Sequence, residues 1–303
     1  MGHGHDHGAA ASRAGARNVG RLRIAFALAI VFLVVEAVTA FLTDSLALLS
    51  DAAHLLTDAV GIGMALAAIG LAGRARLDGA RTFGLYRLEI LAALANALLL
   101  FAVTIYILVE AVQRIGEDPD VRSGPMLVVA IVGLVVNVVS VLLLRSGSAA
   151  SLNVRAAYFE VVSDALASAG VIAAAVVIAL TDWTPIDTIT AVVIGIWILP
   201  RAWSVAAESV RILLQAAPAG LDLDRLRADL GGLPGVVDVH DLHVWTLTSE
   251  MDVASAHLMV APGTDPHGVL DRARDVLRVE YAISHATLQV EPDDHTGCAE
   301  VNW

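Results

Sequence analysis

Lysine is absent from this 303-residue chain; all nineteen of its basic residues are arginine. A glycine-rich, phosphate-cradling loop of the usual kind needs a lysine, so direct drive by ATP through such a loop is excluded. Cysteine occurs once, at Cys298, which excludes an internal disulfide. Charge is scarce: 17% of residues are charged, against about 25% in ordinary soluble domains. Positive charge is in deficit, with a formal net charge of −12, and nucleic acid is excluded as a partner because it requires a basic face. No His-Glu-x-x-His pair is present, which removes the intramembrane metalloprotease and leaves the chain read as no enzyme. The polar start, residues 1–22, has no short isolated apolar core with a cleavage site and is not read as a signal peptide.

Apolar residues are what the chain has in excess. They make up 57% of it, and the mean hydropathy is +0.72. They fall in long runs near 23–42, 45–72, 87–113, 125–144, 157–180 and 186–207. Each is close to or above the roughly 20 residues that a helix needs to cross a bilayer. Gly73, Gly116, Gly124 and Thr184-Pro185 mark breaks between them, and Pro200-Arg201 interrupts the sixth. The expected fold is therefore a polytopic α-helical membrane protein: a His-containing N-terminal tail at 1–22, a six-helix membrane domain at 23–213, and a tail domain at 214–303. Arginines at 13, 17, 21, 23, 74, 76, 81, 87, 145 and 155 lie in alternate connections, against only Arg114 and Arg122 in the others. The positive-inside rule places the first set, and with it both termini, in the cytoplasm.

The tail domain is acidic, with fifteen Asp and Glu against five Arg from residue 216 onward. Its pattern predicts a helix at 222–230, paired strands at 236–247 and 252–261, a helix near 266–279 and a strand near 284–291. Helix–strand–strand–helix–strand is a ferredoxin-like α+β order.

Ionisable groups inside the spans carry the chemistry, because each costs about 2.5–3.5 kcal/mol at a helix centre and needs a reason to be there. The second span holds Asp51, His54 and Asp58; the fifth holds Glu160 and Asp164. His54/Asp58 and Glu160/Asp164 are both i, i+4 pairs, about 40° apart around a helix and one turn apart along it. Two helices that offer two donors each can close a four-coordinate site. Imidazole with carboxylates suits Zn²⁺ and its neighbours in the series. Interhelical hydrogen bonding is the competing reading of the same groups.

Three segments resemble the cation diffusion facilitator family of metal transporters, zinc-exporting type: TDSLALLSDAAHLLTDA from Thr43 to Ala59, FGLYRLEILAALAN from Phe83 to Asn96, and VHDLHVW from Val239 to Trp245. The resemblance runs through the chain in order. It implies a homodimer of six-helix subunits with cytoplasmic metallochaperone-like domains, working as a metal/proton antiporter in a bacterial inner membrane. By position it implies a transport site of His54, Asp58, Glu160 and Asp164, and tail-domain ligands at His240, His257, His285 and Glu291. The donor-rich stretch 291–298 adds Cys298 and His295 to that second set.

Zinc-type members commonly carry His-x-x-x-Asp in both spans, whereas Glu160 stands here in place of the second histidine. Three carboxylates and one imidazole make a harder, more negative site. Zn²⁺ stays favoured, but Cd²⁺, Co²⁺, Fe²⁺ and Mn²⁺ are discriminated less strongly. Asp51, Asn96 and Asn137, with Glu36, are expected to support the site or join helices. Glu89 and Glu110 are read as solvated span ends, and His243 as structural beside Trp245. Residues 73–86 offer Asp78 alone, so a further metal site in that loop is not expected. The N-terminal His3, His5 and His7 can bind metal loosely.

Overall fold

A computed structural model describes residues 7–72, 82–117, 119–144, 152–248 and 251–294; the side chains of 7–22 and of some further helix positions, Glu160 among them, are outside the described set. The elements run α1 His7–Thr43, α2 Leu46–Ala72, α3 Arg87–Gln113, α4 Ser123–Leu144, α5 Leu152–Thr181, α6 Pro185–Leu213, α7 Leu223–Gly231, β1 Val236–Thr248, β2 Met251–Val260, α8 Pro266–Glu280 and β3 His285–Pro292. Two compact units result, one of residues 1–77 and 92–206, the other of 78–91 and 207–303.

Helices α1 to α6 follow from the apolar runs. Among the described residues, five of them contain stretches long and apolar enough to cross a membrane, with mean hydropathy from 1.7 to 2.6. The further apolar helix, α2, carries Asp51, His54 and Asp58. Only 17% to 33% of those five stretches is buried within the protein, and the outward residues are Val, Leu, Ile, Phe and Trp. A surface of that kind is stable against lipid and not against water. Boundaries differ from expectation at the start of α1, at the start of α5, which is Leu152 and not 157, and at the end of α6, which is Leu213 and not 207. Helix α1 begins at His7, because residues 9–17 are mostly Ala and Arg, strong helix formers. Helix α6 runs through Pro200 without a break, a kind of interruption that membrane helices tolerate.

Small residues set the packing. The first unit's core includes Ala40, Ala47, Ala53, Ala111, Ala130, Ala174, Ala175, Ala191 and Ala202, which let backbones approach closely. Helix α1 packs along α2 and α4 along α5, and α2 also touches α5. At Gly195 of α6 an added Cβ would lie 3.3 Å from Thr104 Cγ2 of α3, so glycine sets that approach.

The turn between α1 and α2 is held from three directions. Asp44 has φ of 55°, a conformation that Asp tolerates better than most residues. Arg114 donates to the Asp44 carbonyl at 2.9 Å and to its carboxylate at 2.7 Å. The Arg122 N–H donates to the Thr43 carbonyl at 3.1 Å. Both arginines that run against the charge asymmetry therefore sit at this turn. From α6, the fully buried Asp187 accepts from Ser45 Oγ at 2.5 Å, Leu46 N at 2.6 Å and Ala47 N at 3.3 Å. A carboxylate there satisfies the orphan amides at the α2 N-terminus and complements its dipole.

In the second unit, β1 pairs antiparallel with β2, and β2 pairs parallel with β3 through the α8 crossover. The element order is the expected one, ferredoxin-like without a first strand. Leu226 and Leu230 of α7 and Val269, Ala273 and Leu277 of α8 bury against Val244, Ala254 and Leu258 of the sheet. Residues 82–91 belong to this unit. Glu89 is not a merely solvated end: it accepts from Thr248 Oγ1 at 2.7 Å.

Replacing Asp187 by Ala strands buried amides and should cost about 1–3 kcal/mol. Thermal unfolding in detergent should show a clear fall in Tm for Asp187→Ala and a smaller one for Asp187→Asn. Equal, wild-type values for both would remove this cap from the account.

Candidate metal sites

The middle of the 27-residue α2 faces the middle of the 30-residue α5. His54 Nε2 lies 2.6 Å from Asp164 Oδ1, with both side chains under 10% exposed. Asp58, one turn along α2, joins them: one donor atom from each of His54, Asp58 and Asp164 lies within 4.8 Å of the others. His54 Nδ1 is buried and has no hydrogen-bond partner among the described residues. One imidazole nitrogen and two carboxylates held this close suit a small divalent cation. Glu160 is on α5, one turn before Asp164, and its side chain lies outside the described residues.

The supporting groups separate. Asp51 is 5% exposed and lies beside Glu36 of α1, itself 1% exposed. Ser168 of α5 lies 3.5 Å from Asp51 Oδ2, and Asn137 of α4 lies 3.5 Å from Ser168 Oγ, both at the long limit of a hydrogen bond. A polar line thus crosses α1, α2, α5 and α4 beside the cluster. Asn96 is buried on α3, and among the described residues no hydrogen bond joins it to His54, Asp58 or Asp164. Sequence reading missed Arg201 of α6, whose Nη2 is 4.0 Å from Asp58 Oδ1.

A second cluster stands on the sheet. Strand register places His240 directly opposite His257, and His257 opposite Gln289. Glu291 lies two residues beyond Gln289, on the same face because strand side chains alternate. His257 Nδ1 is 2.8 Å and His240 Nε2 3.5 Å from the Glu291 carboxylate. These two ring nitrogens are buried and, among the described residues, make no hydrogen bond of good geometry. Two imidazole nitrogens turned onto one carboxylate fit Zn²⁺ chemistry, so the residues present suit a bound metal. Asp238 holds the other His240 nitrogen at 3.2 Å, and Gln289 donates to Glu291 at 2.7 Å. Such partners orient ligands, and neither was foreseen.

His285 is not brought into this group. It sits six residues before Glu291 on β3, about 20 Å along the strand, and its ring meets Phe83 edge-on at 5.8 Å. His243 pairs with Asp241, 2.8 Å away, at the irregularity between His240 and His243. Cys298 and His295 lie outside the described residues, as do His3, His5 and Asp78.

A lipid-facing bundle with acid and imidazole donors gathered on two of its helices, followed by a sheet domain with a second such group, defines a multi-span membrane protein equipped for divalent cations. The chain belongs to the cation efflux family: the cation efflux transmembrane domain matches residues 22–214 and the cation efflux protein cytoplasmic domain matches 218–293. It is similar to the metal cation efflux system protein CzcD of Cupriavidus metallidurans, 45% identical over 96% of this chain and 90% of that one. It is also similar to the zinc transporter ZitB of Escherichia coli, 39% identical over 97% and 96%. The cadmium, cobalt and zinc/H⁺–K⁺ antiporter of Bacillus subtilis is 35% identical over 97% and 93%.

In a full-length chain carrying Asp58→Ala, Zn²⁺ titration should report the sheet cluster alone. Glu291→Ala is expected to weaken that binding at least about tenfold, while His285→Ala leaves it unchanged. The reverse order would place the ligands elsewhere.

Proposed function

We propose that this protein exports divalent metal ions, Zn²⁺ foremost, in exchange for protons by alternating access. The observation that carries the reading is the convergence of His54, Asp58 and Asp164 on two apolar helices. Groups this costly in a membrane need a compensating partner, and a dication supplies it. Glu160, one helical turn from Asp164, is assigned as the fourth ligand.

The cycle follows from charge. A metal that enters from the cytoplasm loses water and gains carboxylate oxygens and the His54 imidazole. Rocking of the helices then exposes the site to the opposite side. Protons arriving there compete for the same lone pairs, since ligands must be deprotonated to hold metal. One imidazole and the neighbouring carboxylates are the groups there that can accept protons. The relatives named for zinc, cadmium and cobalt support a soft-to-borderline cargo, and Glu160 supports broader selection than two histidines would give.

The sheet cluster is assigned a regulatory role. His240, His257 and Glu291 would hold the ion, which would neutralise part of an acidic domain and favour association of two such domains in a homodimer. The arginine asymmetry supports cytoplasmic termini in a bacterial inner membrane. Arg114 supports it further, since its charge is taken up by Asp44 and Glu110 on the opposite side.

Metal flux into proteoliposomes under an imposed pH gradient tests the reading. Zn²⁺ flux should collapse without the gradient and be abolished in Asp58→Ala. Glu160→His should change the ranking of Zn²⁺, Cd²⁺, Co²⁺ and Mn²⁺. Tight metal binding with no flux of any metal would instead point to a membrane-bound metal sensor.

A further inference from the structure

Arg201 is a permanent cation set beside a metal ligand. Its guanidinium does not lose a proton in proteins, so the charge is present at every stage of a transport cycle. Nη2 is 4.0 Å from Asp58 Oδ1, well beyond the 2.7–2.9 Å of a tight charge-assisted bond. The side chains are 41% and 23% exposed, so the pair is not dry. The contact between these two side chains can therefore open without breaking a short bond between them. Pro200 precedes Arg201 within α6 and has no N–H to offer the preceding turn, which loosens the helix where the guanidinium leaves it.

We propose that Arg201 is a tethered counter-cation for the transport site: it pairs with Asp58 while the site holds no metal and is displaced when a dication binds. The inference rests on the export reading above. A dication and a guanidinium on one carboxylate repel each other, so Arg201 weakens metal binding. It also stabilises the emptied site, where Asp58 and Asp164 stand close together. Tight capture is given up for faster release. Arg201 is thus a positioning residue that acts through Asp58, not a ligand. The competing role is an anchor to lipid phosphate at the membrane surface, which leaves metal affinity untouched.

The test compares full-length protein with Arg201→Gln and Arg201→Lys, each titrated in a His240→Ala, His257→Ala background so that the membrane site alone reports. Initial rates of Zn²⁺ uptake into proteoliposomes give KM and maximum rate separately, and Zn²⁺ titration in detergent gives Kd. Arg201→Gln should lower Kd and KM roughly three- to tenfold, the Boltzmann factor for removing one charge at this range in a water-like medium. Its maximum rate should fall as well. Arg201→Lys keeps a charge on a shorter stem and should lie between the two, nearer wild type. An unchanged or raised Kd in Arg201→Gln overturns the proposal, as does reduced membrane yield with normal KM, the signature of a lipid anchor. Should Arg201→Gln fail to insert, Arg201→Met gives the same reading. Absence of flux in wild type would contradict the export reading alone, because the Kd comparison still decides the role of Arg201.

Discussion

Burying charge in an apolar bundle is the constraint from which the rest follows. His54, Asp51, Asp164 and Glu36 are each under 10% exposed. None could stay in a membrane helix without a partner that offsets the lost hydration. The bundle answers with polar contacts: imidazole against Asp164, the Ser168 hydroxyl near Asp51, and guanidinium against Asp58. These contacts join α2, α5 and α6, so the donor cluster and the helix packing depend on each other. Alanine and glycine at the contacts let the helices come close enough for it.

The second unit solves the same chemical problem with a different scaffold. In a sheet, position is set by register and alternation. His240 and His257 meet because they are a cross-strand pair, and Glu291 meets them because β3 runs parallel to β2 in the right register. Gln289 and Asp238 then fix the carboxylate and one imidazole. The helical site gathers its donors through i, i+4 spacing on two rods, and the sheet site through three neighbouring strands. Both end in nitrogen and oxygen donors close enough to share one ion.

What could be read from the sequence divides along local and distant contacts. Bilayer thickness forces the length of the apolar runs, so helix existence was legible, and i, i+4 spacing made His54 with Asp58 legible within one helix. Alternation announced the strands of the second unit. Contacts between distant segments were not legible. Asp187 looked like an ordinary acid in the first turn of α6, yet it caps α2 more than 140 positions earlier. Arg114 looked like an exception to the charge rule, and Arg201 like a flaw in the sixth run; Arg114 meets Asp44 in the α1–α2 turn, and Arg201 lies near Asp58 on α2. Placing His285 with the other histidines ignored the rise along β3, which carries it to Phe83.

X-ray absorption at the zinc edge of the full-length protein carrying His240→Ala and His257→Ala tests the central claim most directly, because it reads the donors of the membrane site alone. The account requires one bound Zn²⁺ with a single imidazole and oxygen donors for the remainder, lost in Asp164→Asn. Two or more imidazoles, a sulfur donor, or a signal indifferent to Asp164 would contradict it.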